Sequence, residues 1–384
     1  MNDPRMDKLA RVLVNYSVNV KRGNVVRISG SVIGLPLIRA IYREVLQAGG
    51  HPLLRLADDQ CADIFFENAR PAQLSYLNPL TKREFELIDC AIGVWGDENT
   101  KAMSRVDPGK QAMLSQARRP LMTIVTRRSA ARGKNRLRWV STQYPCQSAA
   151  QDAEMSLSQY EDFVFNGGFL NLEDPVSEWR NVRDRQNRIC DYLQRRKEMH
   201  ITSPHGTDIR FGIGGRKWVN CAGEENFPDG EVFTAPLEDS TEGVICFSFP
   251  AVHGGREVQD IRLEFKAGKV VDASASKGED FLHKMLDQDR GARLLGELAI
   301  GTNYGITEYT KNTLFDEKIG GTFHTAVGDS FPESGGKNKS ALHWDMVCDL
   351  RQGGIIQADG KTILKDGRFS RANWPQPAQK RGKK

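Results

Sequence analysis

The chain has little of what marks a membrane, secreted or thiolate-metal protein. Among its 384 residues no uninterrupted apolar run approaches the ~20 that a bilayer-spanning helix requires, which excludes a transmembrane reading. Its seven cysteines (Cys61, Cys90, Cys146, Cys190, Cys221, Cys246 and Cys348) are odd in number, scattered and without a CxxC pair. They read as reduced thiols, not as a disulfide framework or a sulfur metal site. The opening stretch MNDPRMDKLARVLVNYS mixes charge into every few positions and lacks the apolar block and cleavage site of a secretory signal, so the expectation is a cytoplasmic chain. Familiar single-segment signatures are missing too. There is no HExxH and no GxSxG, GIGG at 212–215 is too short for a dinucleotide fingerprint, and SGGK at 334–337 has the SxxK spelling without its companion motifs.

What is present suits a soluble enzyme of roughly two to three domains, with 39% hydrophobic and 27% charged residues. The formal charge of +5 hints at nucleic acid until one sees that the end of the chain carries Arg371, Lys380, Arg381, Lys383 and Lys384. Without them the body is nearly neutral, so no nucleic-acid partner and no membrane partner are expected. Residues 371–384 have little to bury and read as a disordered basic tail.

The first half alternates helical and extended patterns: a helix over residues 6–16, the strand VVRISG at 25–30, and an amphipathic helix over 35–48 with Pro36 in its first turn and Gly49-Gly50 after it. Strands follow at PLLRL, ELIDCAIGVWG (86–96) and PLMTIVT (120–126). This predicts an α/β domain over residues 1–165 with a largely parallel sheet. Residues 166–198, ending in the long helix SEWRNVRDRQNRICDYLQRRK, form a helical connection. Short extended runs then dominate 199–370, an α+β domain that includes the hairpin IRLEFKAGKVVDASA and one helix, QDRGARLLGELA, at 288–299.

Chemistry concentrates in that second domain. In SALHWDMVCDL, strand alternation turns His343 and Asp345 to one face and Leu342, Trp344 and Met346 to the other. The polar pair is a metal-binding fork or two polar residues on one side of a strand. GGTFHTAVG holds His324, either a ligand or a hydrogen-bonded core histidine. Glu231 follows a Pro-Asp-Gly turn, and Glu317 lies seven residues before His324; each is a ligand carboxylate or an ordinary turn residue. Glu297 is more telling, because Leu294, Leu295 and Leu298 surround it. Burying a carboxylate without a cation costs several kcal/mol, so a metal or an arginine should face it. Glu231, Glu297, His324, His343 and Asp345 together form an oxygen- and nitrogen-rich set suited to two zinc, cobalt or manganese ions about 4 Å apart.

The segments GTDIRFGIGGRKW, NFPDGEVFTAP, ARLLGELAIGTN, LFDEKIGGTFHTAVG and GGKNKSALHWDMVCDLR resemble, in order, the M29 family of metallopeptidases. LVNYSVNVKRGNVVRISG and LQAGGHPLLRL are similar to that family's amino-terminal α/β domain. The resemblance implies a dimeric two-domain exopeptidase with two divalent ions. It puts the family's ligands on Glu231, Glu297 (the bridging glutamate), His324, His343 and Asp345, and a ligand or general base on Glu317. One departure stands out: the tyrosine seven residues after the strand histidine is Phe331 here, and a phenyl ring can neither bind a metal nor steady an oxyanion. Tyr304, Tyr309 or Lys337 are the candidate substitutes, and Phe331 and Lys337 are taken as substrate-facing. The segment between His324 and His343 is also shorter than the family leads one to expect.

Three functions compete. The first is an aminopeptidase acting on peptides, with Glu317 handling the proton of a two-metal-activated water. The second uses His324, His343 and Asp345 as the facial triad of a mononuclear iron ring-cleaving dioxygenase. The third is a metal-bound homologue without catalysis.

Overall fold

The structure is a computed structural model that describes residues 3–377. By contacts the chain divides into two units. One runs to Val176 and takes back Gly223–Phe227; the other holds Ser177–Ala222 and the chain from Pro228 on. This differs from the expected boundaries at 165/166 and 198/199. The helix Pro175–Leu193 is not a free connection, because nearly all of it belongs to the second unit, where Ile189 and Leu193 join the core.

The first unit is built on a five-stranded parallel sheet in the order His51–Ala57, Val25–Ser31, Cys90–Trp95, Arg138–Gln143, Asn226–Phe227. Val26, Ile28, Ile92 and Val94 are buried in its central strands. The helix Leu35–Gln47, with Pro36 pre-set for its first turn, buries Leu37, Ile38, Ile41 and Val45. The strand expected at 120–126 is absent: those residues lie inside the helix Pro108–Ser129. Leu121, Ile124, Val125 and Arg128 form its less exposed stripe, which is helical spacing hidden within an apolar run. The strand that does follow, Arg138–Gln143, has no apolar alternation to announce it, yet Thr142 and Gln143 are buried.

The second unit contains two large antiparallel sheets and a two-stranded ribbon, Ala251–His253 with Arg256–Val258. An eight-stranded sheet alternates, burying Met199 and Ile201, Ile209 and Phe211, and Leu263 and Phe265 on three of its strands. Its hairpin turns at Ala267 and Gly268, both at positive φ (47° and 79°), as a two-residue turn demands. The second sheet, five-stranded, is ordered His343–Asp349, Thr322–Gly328, Leu295–Gly301, Glu231–Thr234, Val219–Cys221. One of its faces joins the hydrophobic core through Val232, Leu298, Ile300, Phe323, Val327, Trp344 and Met346.

The tail expected to be disordered from residue 371 is packed at its start. Trp374 is buried, its ring 5.0 Å from that of Tyr192 and 6.2 Å from that of Phe369, and Gln376 Nε2 donates to Phe369 O. An indole brings enough apolar area to hold a polar segment down. Residues 378–384, which hold most of the basic charge, lie outside the described residues. Among the described residues no helix is long and apolar enough to cross a membrane, and all seven cysteines are free thiols.

Candidate metal centre

The second face of the five-stranded sheet gathers the candidate ligands. Pairing sets Glu297 opposite Ala326 and Ala326 opposite Asp345. It sets Ala299 opposite His324, Gly301 opposite Glu231, and Gly328 opposite His343. Paired residues share a face, so Glu231, Glu297, His324, His343 and Asp345 all project from one side of four adjoining strands. Each has an alanine or glycine beside it in the row, which clears the space above the sheet for long polar side chains to converge.

The expected helix at 288–299 is a strand, Leu295–Gly301, and the reason lies in a β-bulge. Register shifts between Leu295 and Glu297, so Gly296 is an extra residue. A Cβ on Gly296 would sit 2.0 Å from Asp329 O, which only glycine avoids. In an unbroken strand Glu297 would share the core face with Leu295; the bulge turns it to the ligand face. The apolar positions 295, 298 and 300 are then spaced three and two apart, which imitates a helix.

The turn before Glu231 is equally specific. Gly230 takes φ 126° and packs so closely on Asn303 that a Cβ would lie 2.5 Å from that residue's own Cβ. The fully buried Gln186 donates to Cys221 O and Glu231 O at 2.9 and 2.8 Å, tying the edge strand to its neighbour.

Within the cluster His324 Nε2 lies 3.2 Å from Glu231 Oε2 and 3.5 Å from Glu297 Oε1. His343 Nε2 lies 3.5 Å from Glu297 Oε2 and 3.6 Å from Asp345 Oδ1. Two groups of donor atoms, each within 4.8 Å of one another, therefore share Glu297: Glu231, Glu297 and His324, and Glu297, His343 and Asp345. Glu317, His324 and Asp345 make a third such group. Glu231 Oε2, both ring nitrogens of His324 and Asp345 Oδ1 are buried without a hydrogen-bond partner. Orphan donors and acceptors of this kind are costly and rare. A set of carboxylate oxygens and imidazole nitrogens with orphaned buried atoms fits hard-to-borderline divalent cations.

The charges respond to one another. Burial lowers the affinity of His324 and His343 for a proton, but Glu297 with Glu231 raises the first to about 9, and Asp345 with Glu297 raises the second to about 11. Burial would raise Asp345, yet His343 holds it down at about 2. Burial pushes Glu317 up to about 8 against the pull of Lys318. Protons and cations thus compete for this cluster of carboxylates and imidazoles.

The Peptidase M29 family model, described as thermophilic metalloprotease, matches residues 2–369. The chain belongs to the M29 family. It is 27% identical to Aminopeptidase 2 of Geobacillus stearothermophilus over 97% of this chain and 98% of that relative. Its fold matches wild-type AmpT from Thermus thermophilus with a TM-score of 0.82 at 23% identity, covering 96% of this chain and 99% of that one. A 2,5-dihydroxypyridine dioxygenase from Pseudomonas putida KT2440 matches with a TM-score of 0.59 at 14% identity over 97% and 99% of the chains. At such identities these two structures share the fold.

In this M29 chain the substrate-facing expectations fall unevenly. Phe331 lies at the site, its ring 4.9 Å from that of His343 and 5.6 Å from that of Phe233. Lys337 has an exposed side chain, and its backbone N–H donates to Glu238. The Tyr304 and Tyr309 hydroxyls donate to Gly367 O and Pro250 O, so both phenols are already engaged. Two residues escaped the reading of the sequence. Lys318 is buried with its Nζ 2.5 Å from Glu231 Oε1, 2.7 Å from Glu317 Oε1 and 3.7 Å from Asp229 Oδ1. Asp229 is the acid of the Pro-Asp-Gly turn. The signal was available in LFDEKIGG: a buried carboxylate calls for a cation, and the lysine adjoins Glu317.

Proposed function

We propose that this chain is a metal-dependent aminopeptidase with a two-ion site. Glu231, Glu297 and His324 would hold one ion, and Glu297, His343 and Asp345 the other. Two ions there, zinc, cobalt or manganese, supply the Lewis acidity that polarises a peptide carbonyl and makes a water proton labile near neutral pH. Glu317 stands beside His324 and Asp345 and accepts that proton, a role suited to a carboxyl whose proton affinity burial has raised towards neutrality. Lys318 holds the Glu317 carboxylate by one oxygen, which fixes its direction. The amino terminus of a peptide binds beside the carboxylates and ions, and Phe331 offers that substrate an apolar wall next to His343.

The observation that carries this reading is the sharing of Glu297 between two donor groups. A single iron on His324, His343 and Asp345 would leave Glu297 as a buried carboxylate without a cation of its own, since Lys318 reaches Glu231 but not Glu297. Family membership supports the peptidase class, and the Geobacillus relative supports removal of amino-terminal residues. We further propose that the chain works in the cytoplasm, which its free thiols suit, as a homodimer. The exposed Ile64, Tyr76 and Leu80 support a covered surface in the first unit.

Metal analysis combined with a panel of aminoacyl-p-nitroanilides tests the proposal. Two ions per chain and chelator-sensitive release of nitroaniline are expected. One iron per chain with oxygen uptake points instead to the dioxygenase, and a fully metallated protein that cleaves no member of the panel removes the peptidase claim.

A further inference from the structure

The ligand face contains a cation of its own. Lys318 is a buried ammonium contacting Glu231, Glu317 and Asp229. Across the adjacent strand pair, Cys221 stands opposite Glu231. Donor atoms of Cys221, Asp229 and Glu231 also lie within 4.8 Å of one another, a further corner of cation size beside the two that share Glu297 and the group of Glu317, His324 and Asp345. Glu231 is divided between the corners: Oε1 meets the ammonium, while Oε2 has no hydrogen bond and faces His324. The charges also close. With neutral imidazoles, the carboxylates of Asp229, Glu231, Glu297, Glu317 and Asp345 are balanced by two divalent ions and one ammonium, with nothing left over. A buried cluster tolerates little residual charge.

We propose that Lys318 is a tethered third cation: its ammonium fills the corner of Cys221, Asp229 and Glu231 and confines free ions to the two positions that share Glu297. It is a positioning residue that presents Glu231 Oε2 and Glu317 to those ions, and the inference rests on the two-ion reading above. A lysine serving only to satisfy buried carboxylates would not control how many metal ions the chain takes.

Cobalt titration of the metal-free protein, read by metal content after dialysis and by near-ultraviolet absorption, separates the cases. The unaltered chain should stop at two cobalt ions without a thiolate-to-cobalt band. Lys318→Met should take a third and acquire that band, and adding Cys221→Ser should remove the band. Lys318→Arg, which keeps the charge, should hold the count at two. A folded Lys318→Met protein that still binds two ions with no thiolate band overturns the inference alone. An unaltered chain that takes a third ion with the band overturns it as well, even if Lys318→Met fails to fold. An unaltered chain that stops at one ion sinks the two-ion reading and this inference together.

Discussion

The first unit and the five-stranded sheet of the second unit break the usual rule of burial in opposite directions. Around the parallel sheet, Leu80 is 77% exposed and Met122 61%, and the helices Asp59–Asn68 and Pro79–Leu87 bury no residue fully. On the ligand face Glu231, Glu297 and His324 are 5%, 4% and 0% exposed. Exposed apolar groups cost little one by one, because more than half of any protein surface is apolar. Buried charges cost several kcal/mol each unless something compensates them. The difference teaches where the molecule gives up stability for chemistry: in the sheet whose other face carries Trp344, Phe323 and Leu298, a large enough apolar core to tolerate it.

The sharpest way to break this contrast is to remove Glu297, which belongs to two of the donor groups. Glu297→Ala should abolish binding of both ions and leave no measurable peptidase activity, whereas loss of one ion only would mean that Glu297 is not shared. Metal content and nitroanilide hydrolysis report the two effects separately. Next in size, Glu317→Gln should lower kcat by about 10²- to 10⁴-fold, the range for a lost general base, with both ions retained. If the metals leave with it, Glu317 is a ligand and not a base.

The opposite face of the same sheet should show its weight in stability. Trp344 is buried, with the rings of Phe281 and His253 at 5.9 and 5.4 Å. Trp344→Ala should destabilise the chain by about 3–5 kcal/mol in urea unfolding, the usual cost of deleting a large core aromatic. A loss below about 1 kcal/mol would show that the apolar face is not what supports the ligand face.

Acid and metal compete for the same atoms, so pH tests the charged side of the contrast. In the metal-free chain His324 is raised from 6.5 to about 9 and His343 to about 11. Raised imidazoles contribute stability that is complete below 6.5 and fades as pH climbs through about 9 for His324 and about 11 for His343. Ion binding must expel those protons, so metal affinity should rise with pH over the same window, by about tenfold per unit for each proton released. Calorimetric titration in two buffers of different ionisation heat counts the protons. Affinity that stays flat from pH 6 to 9 would contradict the placement of His324 between Glu231 and Glu297.

How much of this was legible beforehand depended on whether pattern and packing agreed. Strands with plain alternation, such as Val25–Ser31 and Thr322–Gly328, and the shared face of His343 and Asp345, could be read directly because the face of each residue follows from period two alone. The bulge at Gly296 broke that period, so the Glu297 strand looked helical although the need to compensate Glu297 was clear. Arg138–Gln143 was invisible because its burial comes from neighbouring strands and not from its own composition. Convergence itself, across strands more than a hundred residues apart, is set by register, which no single segment encodes. Lys318 went unseen in part for the same reason, since two of its three partners, Asp229 and Glu231, arrive from one distant stretch, although the third, Glu317, is its neighbour in the chain.

The smallest effect should come from the exposed end of the comparison. Leu80 opens the helix Pro79–Leu87, whose N-cap Asn78 accepts from the Leu80 backbone N–H, so that residue's backbone is already satisfied and its side chain meets solvent. Leu80→Ser should therefore change the unfolding free energy by no more than about 0.5 kcal/mol and leave the activity untouched. The measurement is most informative at two protein concentrations. A cost that is negligible in dilute solution but grows at high concentration means that Leu80 is covered by a second copy, because only an associated state makes stability depend on protomer concentration. A substantial cost at both concentrations would mean that the first unit hides its apolar surface within the single chain, and the opposition between the two regions would no longer hold.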